Sequence, residues 1–205
     1  MRHIYTLLLY LLLPLVLLRL LWRSFRAPAY RRRWGERFGL FVHKPAAGGV
    51  WLHAVSVGEV QAIEPLVQHL CKAHPGVPIT ITTTTPTGSD RVRSLFGASV
   101  FHVYCPYDIP WFINNFLKRV RPAVLLLVET EIWPNLLTIC QQRQIPSLLA
   151  NGRMSEKSVL AYRRLGSFTR QVFKRIHRLA VQSGDDARRF AELGVPAARI
   201  SVTGS

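Results

Sequence analysis

The chain has 205 residues, 49% of them hydrophobic, and its 27 Lys or Arg against 11 Asp or Glu give a net charge of +16. Its three cysteines, Cys71, Cys105 and Cys140, stand far apart in apolar segments without C-x-x-C spacing, which excludes a disulfide framework and points to buried thiols of a reducing compartment. No histidine pair has ligand spacing, so no structural zinc site is expected, and no aromatic-interleaved recognition element turns the basic charge into a nucleic-acid signature.

The first element, Ile4–Trp22, is nearly continuous hydrocarbon and close to the roughly 20 residues a bilayer crossing needs. Arg19 lies near the end of the run, where its head can snorkel to the interface, and Trp22 suits the headgroup level. Pro14 kinks such a helix without excluding it. Arg23, Arg26, Arg31, Arg32, Arg33 and Arg37 follow in place of a small-residue cleavage site, so the segment reads as an uncleaved single-pass anchor. The positive-inside bias then places the remainder of the chain in the cytoplasm. Nine Lys or Arg against Glu36 give residues 1–44 a charge of +8, suited to anionic headgroups at about 1 kcal/mol per residue. Residues 45–205 carry the other +8, part of it in Arg163, Arg164, Arg170, Lys174, Arg175 and Arg178, which reads equally as a solvated helical face or as a second anionic-surface contact.

After the linker Pro45–Gly49, short apolar runs alternate with amphipathic stretches. The strand candidates are Val50–Ala54, Ile79–Thr84, Phe101–Tyr104, Ala123–Val128, Pro146–Ala150, Leu179–Gln182 and Ile200–Thr203. Helix signals lie between them: Asp108 before Pro110, Pro134 in a first turn, Ser155 ahead of a helix, and Gly194 closing one that begins near Asp185. Pro65 kinks the helix after the first strand or ends a separate initial turn. Strand and helix in regular alternation predict an α/β fold with a Rossmann-like, doubly wound parallel sheet. The expected organisation is an anchor with a basic juxtamembrane segment over 1–44 and one domain of ordinary size over 45–205. A strand at Ile200–Thr203, with a turn opening at Gly204, is the mark of a sequence that continues.

In a parallel sheet the polar clusters that follow the strands emerge at one edge, where open α/β folds bind ligands. Ser56, Gly58 and Glu59 follow the first strand; Thr85–Asp90, with Thr87 and Gly88, the second; Glu129 and Glu131, ahead of Trp133, the fourth; and Asn151–Arg153 the fifth. Val60, Ile63, Val67 and Leu70 mark the core face of the first helix and leave Glu59 at its end, either as a chemical group or as a complement to the helix dipole. The Thr85–Asp90 turn reads as an anion or sugar site or as a capping turn with Ser89 as its cap. Glu129 and Glu131, one residue apart, call for a hydroxyl-rich or cationic partner, and the lack of a third ligand disfavours metal.

The ordered series Tyr30–Gly39 (YRRRWGERFG), His53–Glu59 (HAVSVGE), Thr84–Ser89 (TTPTGS), Tyr107-Asp108, Glu129–Asn135 (ETEIWPN), Asn151-Gly152-Arg153 and Val202–Ser205 (VTGS) resembles the amino-terminal half of bacterial Kdo transferases. The resemblance implies a metal- and cofactor-independent, inverting glycosyltransferase of the two-domain GT-B type. It would transfer 3-deoxy-D-manno-oct-2-ulosonic acid (Kdo) from CMP-Kdo to a lipid A precursor at the inner membrane, in lipopolysaccharide assembly. On it, Glu59 stands where the general base stands, and Ser56, Gly58, Thr87, Gly88, Glu129 and Glu131 stand at acceptor-site positions. The nucleotide donor would be held by a carboxyl-terminal domain beyond this chain, so the chain alone is expected to transfer no sugar. Gly152 and Met154 depart from the alanine and leucine usual there. A non-catalytic, membrane-anchored α/β module binding anionic lipid or a protein is the alternative, and it leaves the three converging carboxylates unexplained.

Overall fold

Seven apolar runs bounded by Gly, Pro and hydroxyl residues form the strands of one sheet, and each returns through a helix, so all run parallel. The computed structural model describes residues 1–204. The strands are β1 (Val50–His53), β2 (Ile79–Thr83), β3 (Phe101–Tyr104), β4 (Val124–Val128), β5 (Ser147–Gly152), β6 (Arg178–Val181) and β7 (Ile200–Val202), in the order β3-β2-β1-β4-β5-β6-β7. The helices are α1 (Arg2–Arg26), α2 (Val57–Ala62), α3 (Glu64–Ala73), α4 (Pro86–Phe96), α5 (Pro110–Val120), α6 (Pro134–Gln142), α7 (Glu156–Arg164), α8 (Ser167–Phe173) and α9 (Gly184–Glu192). The order of the strands reverses between β1 and β4, and this switch point opens a crevice at their carboxyl ends.

Both faces of the sheet are covered, which is why β4 is continuously apolar and why even the threonines of β2 are buried. On one face Trp51, Leu125 and Leu127 meet Phe116, Leu137 and Phe173; on the other Leu52 and Ile81 meet Val60, Ile63, Val67 and Val92. Trp51 is fully buried, with its ring centroid 4.5 Å from that of Phe116 and its Nε1 donating to Thr82 Oγ1 at 2.9 Å. Pro65 separates α2 from α3 and occupies the first turn of α3, where its missing N–H costs no hydrogen bond.

One expectation about local structure needs correction. Asp108 does not cap α5, which begins at Pro110 without a side-chain cap; its carboxylate is spent on α6 instead. Residues ahead of Lys44 also pack on the sheet. Arg33, held at φ 63°, donates to the His102 carbonyl at 2.9 Å, and Glu36 Oε2 accepts from Tyr104 N at 2.8 Å, so this segment closes the free edge of β3. Phe38 packs edge-on against Phe112, Phe41 lies against Phe101 and Phe116, and a Cβ on Gly39 (φ 71°) would fall 2.3 Å from the Phe112 carbonyl oxygen. Residues 33–41 are part of the domain.

α1 is long and apolar enough to cross a membrane by length and composition. Here it lies along the carboxyl edge of the sheet: Tyr5 OH donates to Asp108 Oδ2 at 2.9 Å, Thr6 Oγ1 donates to Asn135 Oδ1 at 3.0 Å, and Leu20 and Ser24 are buried. Its outer face, including Leu7, Leu11, Leu15, Leu18 and Trp22, stays exposed.

Candidate active site

β1 runs through Ala54 and Val55 into α2, whose cap is Ser56. Ser56 Oγ accepts from Glu59 N at 3.3 Å, and the Glu59 carboxylate reaches back, Oε2 accepting from Val55 N at 2.8 Å and Oε1 from Ser56 N at 3.2 Å. This is a capping box. Glu59 is only 6% exposed, so the carboxylate does complement the start of the helix, but each oxygen keeps a lone pair beyond its one N–H. Burial pushes its pKa up; the Val55 N–H and the Ser56 hydroxyl oppose that, and the charges of Glu131 and Glu129 add to it. A raised pKa brings a carboxylate closer to the range useful for taking a proton near neutrality.

Glu129 and Glu131 follow β4, the strand beside β1 at the switch point. Glu129 sits at φ 56°, a left-handed conformation costing a non-glycine residue about 1–2 kcal/mol, with its N–H on the Ala150 carbonyl at 2.9 Å. Glu131 Oε2 accepts from Trp133 Nε1 at 2.9 Å, and the Trp133 ring stands edge-on to His53, centroids 5.5 Å apart. His53 bonds Thr82 Oγ1 through Nδ1, and burial lowers its pKa to about 4, so the ring stays neutral.

The turn after β2 is capped by Thr85, not by Ser89: Thr85 Oγ1 accepts from Gly88 N at 3.1 Å, while Ser89 Oγ lies inside α4 and accepts from Arg33 Nη1 at 2.9 Å. A Cβ on Gly88 would approach Thr85 Oγ1 to 3.1 Å and Thr83 Cβ to 3.3 Å, so this glycine serves the close packing of turn on strand. Ser56, Gly58 and Thr87 are exposed. The fifth-strand cluster points elsewhere: Asn151 Oδ1 accepts from Gln182 Nε2 at 2.9 Å, tying it to the chain after β6. Gly152 sits where the β5–β6 register shifts, and a Cβ there would fall 2.6 Å from Leu149 Cδ2 and 3.2 Å from Val181 Cγ1, so an alanine would require those side chains to shift. The structure therefore places Glu129 and Glu131 near enough for their charges to act on Glu59, while Asn151 is tied to the chain after β6. Among the described residues no three His, Cys, Asp or Glu side chains form a metal-binding group.

Sequence reasoning missed Asp108 as a structural centre. Its Oδ1 accepts from Leu136 N at 2.8 Å and its Oδ2 from Asn135 N at 3.1 Å, which fixes the loop carrying Glu131. Burial pushes its pKa up to about 7 against those hydrogen bonds. The partners stand 27 and 28 residues away, so no local spacing announces them.

The family described as "3-Deoxy-D-manno-octulosonic-acid transferase (kdotransferase)" matches residues 32–205, beginning where the packed domain begins. The chain is 40% identical over 206 residues to the 3-deoxy-D-manno-octulosonic acid transferase of Haemophilus influenzae, covering 100% of this chain and 48% of that protein. It is 37% identical over 218 residues to that of Bordetella pertussis, covering 100% and 49%. A probable mitochondrial counterpart of Arabidopsis thaliana is 35% identical over 157 residues, 76% of this chain and 35% of that one. The chain thus spans about half the length of the two bacterial relatives. Among solved structures, the UDP-GlcNAc 2-epimerase of Neisseria meningitidis superposes with a TM-score of 0.54 at 15% identity, covering 76% of this chain and 46% of that one. A second UDP-N-acetylglucosamine 2-epimerase gives 0.56 at 14%, covering 78% and 49%. At such identities these two likenesses concern the Rossmann-like fold alone.

Proposed function

Because this chain belongs to the Kdo transferase family, we propose that it is the acceptor-binding half of a glycosyltransferase that moves Kdo from CMP-Kdo to a lipid A precursor at the inner membrane, with Glu59 as general base. The observation that carries the reading is the Glu59 carboxylate, oriented by Val55 N and Ser56 N at the switch point and pushed above its ordinary pKa beside Glu129 and Glu131. In the proposed reaction Glu59 takes the proton of an acceptor hydroxyl, and the freed oxygen electron pair forms a bond to the anomeric carbon of Kdo. The bond from that carbon to the CMP phosphate oxygen breaks as the new one forms, CMP leaves with the electron pair, and the anomeric configuration inverts. Glu129 and Glu131 position the acceptor by taking hydrogen bonds from its other hydroxyls, with Ser56, Gly58, Thr87 and Gly88 shaping the wall around it. The donor is held by a carboxyl-terminal domain, α1 attaches the enzyme to the membrane as a single-pass anchor or along its surface, and the crevice faces the cytoplasm.

The test is a transfer assay with CMP-Kdo and lipid A precursor. The purified two-domain enzyme is expected to form the Kdo-bearing product, and the 205-residue chain is expected to bind acceptor without turnover. Kdo transfer by the 205-residue chain alone would overturn the assignment of the donor site to a second domain.

A further inference from the structure

The basic end of α1 and the sheet edge enclose a hollow of about 310 Å³, lined by Arg19, Arg23, Arg37, Thr84, Thr85 and Trp133 among others, with no acidic side chain in its wall. Arg37 is the unusual member. It is 5% exposed, its Nη2 donates to the Thr84 carbonyl at 2.9 Å, and its guanidinium lies 4.3 Å from the centroid of the Tyr104 ring. Among the described residues no carboxylate comes within 4.0 Å of it. The nearest acid in sequence, Glu36, is committed to Arg33 Nε at 2.6 Å and to Tyr104 N. A buried guanidinium with no counter-charge is expensive, and here it faces an open hollow rather than packed protein. Arg19 and Arg23, exposed on α1, line the same space.

Val16, Tyr107 and Trp133 line both this hollow and a second one, about 380 Å³, which holds Glu131 and Asp108 together with Leu9 and Leu13 of α1. Cations thus line the first hollow and carboxylates the second, and the apolar α1 residues Leu9, Leu12, Leu13, Val16 and Leu20 run along both. That arrangement suits a molecule offering an anionic group to the arginines, hydroxyls to the carboxylates and hydrocarbon to the helix. We infer that the Arg19, Arg23 and Arg37 hollow is a binding site for the phosphate group of a lipid, either the acceptor's own or that of a surrounding phospholipid. Guanidinium groups match phosphate through paired N–H donors, and three of them suit a group carrying more than one negative charge. The inference rests on the acceptor reading only for the first of these two sources.

The test uses the intact protein in neutral detergent micelles and titrates it with dihexanoyl phosphatidic acid, with dihexanoylglycerol as the phosphate-free probe. Saturable binding of phosphatidic acid and none of dihexanoylglycerol is expected. The double variant R19Q/R23Q, whose side chains are exposed, should keep its melting temperature and lose about tenfold or more in affinity. Arg37→Gln should abolish binding; should it fail to fold, the double variant still decides. Equal phosphatidic acid affinity in the wild type and R19Q/R23Q, or equal binding of dihexanoylglycerol, would overturn the site. Competition then identifies the source. Displacement by the phosphorylated glycolipid acceptor but not by its dephosphorylated form assigns the site to substrate, and no displacement by either assigns it to bilayer phospholipid. Neither result depends on the chemistry of Glu59, which is read from kcat.

Discussion

Replacing Glu59 by Gln in the proposed two-domain enzyme removes two things at once, the proposed proton acceptor and half of a capping box. The carboxylate accepts one N–H on each oxygen, from Val55 and from Ser56. An amide has one oxygen, so one of those N–H groups must face an NH2 and lose its acceptor, a cost of about 1–3 kcal/mol. In a domain of this size that lowers Tm by about 2–4 °C per kcal/mol. Against a typical stability of about 5–15 kcal/mol the variant stays folded at 25 °C, so unfolding cannot remove more than a small part of the activity. Loss of the proposed base should lower kcat by about 10²- to 10⁴-fold. Ser183→Ala is the control: Ser183 Oγ accepts from Asp186 N at 3.1 Å as the cap of α9, away from the crevice, and its removal should cost a comparable Tm shift with kcat intact. The acidic limb of kcat/KM supplies a second readout. The base works deprotonated and its pKa is raised, so the wild-type rate should fall as pH drops through a value above the ordinary carboxylate range, and this limb should vanish in the Gln variant. Near-normal kcat in a Glu59→Gln enzyme with the expected Tm shift would refute the assignment and leave Glu59 as a cap alone.

Removing residues 1–31 should release a domain from the membrane fraction with a Tm lowered by the loss of the Tyr5 and Thr6 hydrogen bonds and of buried Leu20, whereas removing 1–44 should lower Tm by about 5 °C more, since it also strips Arg37, Phe38 and Phe41 from their partners; equal melting curves of the two truncations would contradict the packing of 33–41. Asp108 is buried with its pKa raised to about 7, so its contribution to stability is fully present below about pH 4 and is lost as pH rises through 7, a change of about 4 kcal/mol. Urea unfolding at pH 4, 5.5 and 8 should show that component in the wild type and not in Asp108→Asn; identical pH slopes would contradict it. His53 and His102 are buried with pKa values lowered to about 4 and about 3, so in an NMR titration their rings should stay neutral at pH 5, where exposed histidines are protonated. Protonation of either near pH 6.5 would mean that it is solvated.

The seven strands were legible because each is a short run rich in Val, Ile, Leu or Thr, with helical patterns in regular alternation between them. Parallel pairing then made the convergence of Glu59, Glu129 and Glu131 a matter of topology. What stayed hidden was non-local. Asp108 looked like the start of the helix two residues on, while its hydrogen bonds go to α6; Ser89 looked like a cap, while Arg33 claims it from 56 residues away. Residues 30–39 read as a charged segment beside a membrane because four arginines dominate them, yet Glu36 and Arg37 are held by β3 and its neighbours. The resemblance of that segment to a family motif was a better guide than its charge.

The strand order also bears on how the chain is made. Taken in order of synthesis, β2 joins β1, β3 joins β2, β4 joins the other side of β1, and β5, β6 and β7 follow outward, so each new strand meets an open edge and none has to be threaded between two already paired. At about 5–20 residues per second, the β1–β3 wing emerges some seconds before β7. Its outer margin would be a template for neighbouring nascent chains, but the segment that seals it, Arg33 and Glu36, leaves the ribosome before β1 does. From β4 onward the translating chain offers one growing margin rather than two.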